Sequence, residues 1–214
     1  MEQDASQFEG AFRKLAAELD IPLNDSCLPL FFSYLCELKK WNKAINLTAI
    51  YDDEEILVKH FIDSLYGIKV IDNAVKNELL DVGAGAGFPS LPLKFLLPQL
   101  ELELLEPSEK KGAFLRYVVG SLGLQHVTVV PAKLEQYVQR PNRRTFDYIV
   151  VRAFKVDESG PLLADLLKPG GKVILYRAVR IPMSFALAGL ALVEEVEYEL
   201  PSGYGHRVLS VFSK

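Results

Sequence analysis

At 214 residues, half of them hydrophobic, the chain is long enough to bury about two thirds of its unfolded surface within one large domain or a domain with a small appendage. No apolar stretch approaches the roughly 18 residues of a membrane span, and the opening MEQDASQFEGAFRKLAAELD lacks the basic start and apolar centre of a secretory signal, so a cytoplasmic location is expected. A formal charge of −4 excludes a uniformly basic coat, which leaves any nucleic-acid contact to local patches.

In chain order, apolar residues at 8, 12, 15, 16 and 19 follow helical spacing, as do Phe31, Tyr34, Leu35, Leu38, Trp41 and Ile45. Two helices therefore open the protein. Their aromatic side chains are expected in the core, and Cys27 and Cys36, whose spacing fits neither a zinc site nor a disulfide framework, as buried free thiols. A third helix is expected after Asp52 or Asp53, with acids in its first turn and apolar positions 56, 57, 61, 65 and 68 on one face.

Beyond residue 77 the pattern becomes ELLDV, LELELLEP, HVTVVPA, FDYIVVRA and GKVILYR, short β-rich runs separated by helix-length segments. Repeating β-α units of this kind build a mainly parallel sheet with helices on both faces. The closing ALVEEVEYELPSGYGHRVLSVFSK alternates around PSGYG and predicts an antiparallel hairpin. Residues 1–75 are read as an N-terminal helical cap and 76–214 as an α/β domain, packed as a single unit.

The stretch LLDVGAGAGFPS carries the chemistry. Gly83, Gly85 and Gly87 suit a loop that passes under a ligand, because glycine adopts positive φ and has no Cβ to hold a ligand away. This loop joins a strand ending near Val82 to a helix starting near Pro89, at the carboxyl edge where open α/β sheets bind ligands. Asp81 is an acid at the end of that strand. Glu106, at the end of the next, can accept hydrogen bonds from both hydroxyls of a ribose. The spacing G-x-G-x-G departs from the G-x-G-x-x-G of dinucleotide folds, although a nicotinamide-dependent oxidoreductase remains a competing reading. In LLKPGGKVILY a Pro-Gly-Gly turn between helix and strand resembles the corresponding turn of class I S-adenosylmethionine-dependent methyltransferases, Rossmann-like folds with a mostly parallel seven-stranded sheet and an antiparallel C-terminal hairpin.

The segments WNKAINLTAI, LVKHFIDSL, LLDVGAGAGFPSLPL, EKKGAFLR and FDYIVVRAF together resemble the RsmG (GidB) family, from about residue 35 to the end. That resemblance implies a bacterial methyltransferase that uses S-adenosyl-L-methionine to modify guanine N7 in 16S ribosomal RNA. The alternative is a methyltransferase for another RNA, a protein or a small molecule. By position, the family's cofactor contacts fall on Gly83, Phe88, Leu134 and Glu135, with Arg152 following the fourth strand. Ser90 stands where the family usually has glycine, and Arg177 and Ala178 replace its lysine and glycine.

Guanine N7 carries a lone pair and no proton, so attack needs no obligatory general base, and no catalytic residue is assigned. His60, His126 and His206 show no ligand-like spacing, and no metal is expected. Candidates for RNA contact are Lys110, Lys111, Arg116, Arg143, Arg144, Arg152, Arg177 and Arg180, with the KKWNK cluster at 39–43 at the edge of the helical cap. The partner is then 16S rRNA or the small ribosomal subunit, and the protein is expected to be a monomer away from membranes.

Overall fold

The structure, a computed structural model, describes residues 2–72, 74–153, 156, 158–182 and 184–214. Two helices, α1 (Glu2–Ala17) and α2 (Leu28–Asn42), open the chain as expected. Phe8, Phe12, Leu15 and Ala16 turn one face of α1 inward, where the Phe12 ring meets Phe31 of α2 edge-on at 4.7 Å. Phe31 and Tyr34 are fully buried, while Phe32 and Trp41 are half-buried against the same cluster. Cys27 is buried, but Cys36 is exposed. It lies on the outer face of α2, opposite the inward stripe that includes Phe31, Leu35 and Leu38.

The third helical run is interrupted in a way that its periodicity did not announce. Asp52 is the N-cap, accepting from the Glu55 N–H at 2.9 Å, and α3 (Asp53–Ile56) follows. The chain then widens into a π-helical turn, Leu57–Ile62, before α4 (Asp63–Leu65) and a 3₁₀ turn, Tyr66–Lys69. At its end the Asp63 N–H reaches back to Val58 O as well as His60 O. The extra residue rotates the face, so Val58 and Ile62 become buried alongside the expected Leu57 and Phe61.

The sheet has seven strands: β1 (Glu78–Val82), β2 (Glu101–Leu105), β3 (Val127–Val130), β4 (Phe146–Arg152), β5 (Leu167–Arg177), β6 (Ala191–Leu200) and β7 (Gly205–Ser213). Their order is β3-β2-β1-β4-β5-β7-β6, parallel from β3 to β5, with β7 antiparallel to both β5 and β6. Alternation sorts the two faces. Leu79, Leu102, Leu104, Val150 and Ile174 join one continuous core with α1, α2, α5 (Ser90–Leu96) and α6 (Glu109–Ser121). Leu80, Leu105, Ile149, Val151 and Val173 pack on the other side with α7 (Leu134–Val138) and α8 (Gly160–Asp165). The Pro-Gly-Gly segment is not a turn ahead of the fifth strand. It is a bulge inside β5, where the register steps from Phe146↔Leu167 to Tyr148↔Lys172. A Cβ on Gly171 would come within 2.9 Å of Phe146 O, so the bulge needs glycine there.

Asp63 ties the helical segment to the sheet. Its carboxylate is 3% exposed and pairs with Arg152 Nη2 at 2.8 Å, while Tyr198 Oη donates to its Oδ1 at 2.6 Å. Arg152 also donates to Lys59 O at 2.6 Å, and Tyr176 Oη donates to Ser64 O at 2.9 Å. These bonds join the π-helical turn and α4 to β4, β5 and β6. Removing one partner of a buried pair leaves the other charge uncompensated, so Asp63→Ala is expected to lower stability by roughly 3–5 kcal/mol. Urea unfolding followed by circular dichroism measures this; a loss below about 1 kcal/mol would mean that solvent already screens the pair.

Candidate functional site

Three consecutive turns of backbone make the loop after β1. Gly83, Gly85 and Gly87 all have left-handed φ, at 76°, 59° and 98°. The loop is hung on the neighbouring strand: Gly83 and Ala84 N–H donate to Leu105 O at 2.9 and 3.1 Å. Glu106 then clamps it, with Oε2 accepting from Gly85 N–H and Oε1 from Ser108 N–H, each at 2.8 Å. One carboxylate therefore fixes both the loop and the start of α6, whose N-cap is Ser108. From the other side Tyr34 Oη of α2 donates to Ala86 O.

The glycines serve different ends. A Cβ at 87 would lie 2.8 Å from Leu91 Cγ, so that position is closed by packing. At 85 the nearest atom would be Gly83 O at 3.8 Å, which leaves open space above the loop. The Gly85 side of the loop is where a ligand gains close access to backbone. Beside it lies a cavity of about 350 Å³ lined by Gly83, Leu105, Glu106, Pro107, Leu134 and Glu135, with Val82, Ala132 and Lys133. Sequence reasoning brought four of these residues forward, Gly83, Glu106, Leu134 and Glu135. The structure gathers them at the carboxyl ends of β1, β2 and β3.

Asp81 does not line this cavity. It is fully buried beneath the loop, where Ser90 Oγ donates to its Oδ2 and its Oδ1 has no hydrogen-bond partner among the described residues. Burial pushes its carboxyl up to about 7, against the lowering effect of Ser90. Ser90, the departure from the family pattern, thus supplies a hydrogen bond and not merely a small side chain. Phe88 is held from above by His60, whose ring stacks on it at 4.5 Å and 13°. His60 Nε2 lies 2.8 Å from Thr48 Oγ1, and burial followed by the nearby Arg152 charge pushes the imidazole down to about 3, so it is neutral near pH 7.

A second cavity, about 200 Å³, opens at the carboxyl ends of β4 and β5. Val151, Ala153, Tyr176, Arg177 and Ala178 are among its lining residues, and Ala153 has a left-handed φ of 56°. Two cavities at the carboxyl edge of one sheet are suited to a donor and an acceptor.

The family model "GidB: rRNA small subunit methyltransferase G" matches residues 28–183, well over half of the chain. The chain belongs to this family. A relative from Lactococcus lactis subsp. cremoris, "Ribosomal RNA small subunit methyltransferase G", is 35% identical over 95% of this chain and 89% of its own length. One from Geotalea uraniireducens with the same description is 37% identical over 93% of both chains. Among solved structures, TrmN from Thermus thermophilus is similar with a TM-score of 0.53 at 19% identity, covering 74% of this chain and 53% of that one. TehB from Haemophilus influenzae gives 0.51 at 18% identity over 83% and 67%. At such identities the likeness concerns the fold, that of a class I methyltransferase with N-terminal helices added.

The site of this GidB-family chain fits S-adenosylmethionine on its own atoms. Each Glu106 oxygen accepts one backbone N–H and keeps a lone pair for a sugar hydroxyl. Gly85 leaves room for close approach, and the cavity lies within the roughly 300–1,000 Å³ range of small-molecule sites. Leu134 is the apolar wall against which a purine can pack.

Arg152 is at the carboxyl edge, but its guanidinium is engaged by Asp63, Lys59 O and, at 3.4 Å, Ser64 Oγ. Arg152, named from the sequence as a cofactor and RNA-contact candidate, forms an ion pair with Asp63 in the structure. Arg143 and Arg144 lie before β4, at the amino edge of the sheet and away from the cavities. Arg143 pairs with Asp165 at 2.6 Å, and Arg144 with Glu101 at 2.6 Å and Glu78 at 2.7 Å. Arg180 is paired with Glu197, and Arg177 lies over the Phe185 ring at 5.6 Å. Lys110, Lys111 and Arg116 sit on α6 and make no ion pair among the described residues. Tyr34 and Thr48 were missed as supports of the loop. A tyrosine 52 residues from its acceptor leaves no local signal.

Two outcomes follow from the loop. Gly85→Ala is expected to cost about 1–2 kcal/mol for its left-handed φ, and Gly87→Ala distinctly more because Leu91 must also move. Thermal unfolding ranks the two, and equal losses would contradict the packing role of Gly87. For Asp81 the folded value of about 7 lies above the unfolded value near 3.8, so the folded state binds more protons between these limits. Stability should therefore fall as pH rises through that window and level off above it. Asp81→Asn should remove this part of the slope, seen in urea titrations at pH 5 and 8; an unchanged slope would show that Asp81 is ionised throughout.

Proposed function

We propose that this chain transfers a methyl group from S-adenosylmethionine to N7 of a guanine in the 16S rRNA of the small ribosomal subunit. The observation that carries the reading is the bare glycine loop, pinned by Glu106, with two cavities at the carboxyl edge of the sheet, in a family whose members are described as small-subunit rRNA methyltransferases. S-adenosylmethionine supplies a methyl group on a sulfonium, already a good leaving group.

The protein's own contribution is positioning. Glu106 receives the ribose hydroxyls while holding the loop, and Gly83 and Gly85 let the donor lie against backbone. Leu134 covers the purine, and Glu135, in the first turn of α7, borders the same cavity. The cavity between β4 and β5 receives the guanine, with Arg177 at its rim for an RNA phosphate. N7 offers a lone pair without a proton, so the neutral His60 is not asked to move one; it keeps Phe88 in place. Among the described residues no helix is long and apolar enough to cross a membrane, and no group of three or more His, Cys, Asp or Glu can hold a metal ion. A ribosomal substrate places the reaction in the cytoplasm.

Small subunits isolated from cells lacking the gene should accept labelled methyl from S-adenosylmethionine when this protein is added. Chemical cleavage at 7-methylguanosine should then map it to a single 16S site. Label that appears only in protein, or at a guanine position other than N7, would overturn this function.

A further inference from the structure

Among the described residues some cations are neutralised, including Lys39 and Lys40 of α2 by Asp53 and Glu37, and others, such as Lys14 and Lys172, make no ion pair. Neutralised cations also stand at the amino edge of the sheet and along β6, as Arg144 by Glu101 and Glu78, Lys168 by Asp147 at 2.9 Å, and Arg180 by Glu197. By contrast, Lys43, Lys110, Lys111 and Arg116 form no ion pair among the described residues. They lie at the end of α2 and along α6, two helices that pack side by side through aromatic rings. The Trp41 ring is 5.7 Å from the buried Phe114 and 5.2 Å from Tyr117, and Tyr117 is 39% exposed. Lys40 Nζ stands 5.8 Å over the same Tyr117 ring.

This face is indexed to the methyl-donor loop at both ends. Tyr34 of α2 bonds Ala86 O within the loop, and the Ser108 N–H that opens α6 is held by the same Glu106 that holds Gly85. The opposite flank repels polyanions, because the edge strand β6 carries Glu194, Glu195, Glu197 and Glu199. In a chain of net charge −4, unneutralised lysines and an arginine beside an exposed tyrosine, rigidly tied to the donor loop, make a local polyanion site.

Resting on the function proposed above, we infer that the α2–α6 face is the RNA-docking surface. Lys43, Lys110, Lys111 and Arg116 take phosphates flanking the target guanine, and Tyr117 stacks on an unpaired base. Phosphate neutralisation sets the affinity and its salt dependence, and aromatic stacking adds affinity that salt does not screen.

The test uses fluorescence anisotropy with a labelled 16S rRNA hairpin at several salt concentrations. S-adenosylhomocysteine calorimetry reports the integrity of the donor site. The triple variant Lys43→Glu/Lys110→Glu/Arg116→Glu should bind RNA at least tenfold more weakly at ~0.1 M salt, and its log–log salt slope should shrink by about 2. Tyr117→Ala should lose roughly tenfold with the slope unchanged. Arg143→Gln, at the amino edge, should match the parent in both. All variants should bind S-adenosylhomocysteine normally. A triple variant that binds RNA with parental affinity and slope, while the parent methylates 16S rRNA, would overturn this surface and leave the function standing. A parent that methylates no RNA would instead remove the function and the surface with it.

Discussion

The bond from Gly85 N–H to the Glu106 carboxylate is the interaction on which the rest of the site depends. A loop with three left-handed residues has little intrinsic preference for one shape, since glycine explores positive and negative φ alike. It must be held from outside. Glu106 does this from the end of β2, and because its other oxygen accepts the Ser108 N–H, loop and α6 are set by one rigid group. The same carboxylate then faces the cavity with its unused lone pairs. On the proposed function, one side chain both supports the loop and receives the sugar.

The second constraint is how the N-terminal helices reach the sheet. A regular α-helix from Asp53 onward would keep its backbone carbonyls in its own ladder. The π-helical turn at Leu57–Ile62 instead presents Lys59 O to Arg152, stacks His60 on Phe88 and brings Asp63 to Arg152 and Tyr198. The strand-end arginine is thereby spent on joining the helical segment to β4. Through Tyr34, His60 and Arg152 together, that segment bears on the donor loop and on the end of β4, so it is part of the site and not an appendage.

Charge is distributed to match. The amino edge of a parallel sheet is remote from its ligand edge, and there Glu78, Glu101, Asp147, Arg144 and Lys168 satisfy one another. Lys76 and then Arg144 hold Glu101 well below the usual carboxylate range, and Arg144 is itself raised by Glu101 and then Glu78. Lys110, Lys111 and Arg116 on α6 and Lys43 at the end of α2 are among the cations that make no ion pair among the described residues. On the docking surface inferred above, a protein of negative net charge presents a positive face to RNA.

By itself the sequence determined the order of helices and strands, the position of the glycine loop at a carboxyl strand end, and the two acids Asp81 and Glu106. Those features are written in periodicity and in residue types within a few positions of each other, which local rules can read. The placement of the Pro-Gly-Gly segment within β5, the π-helical turn and the exposure of Cys36 were not legible, because each depends on which face an element turns to its neighbours. Only the tertiary structure decided that Arg152 pairs with Asp63, that Arg143 and Arg144 lie at the amino edge paired with Asp165, Glu101 and Glu78, and that Ser90 bonds Asp81. Basic residues look alike along a chain. Whether one is free or neutralised is decided by carboxylates tens of residues away, and such distances close only when the chain has folded.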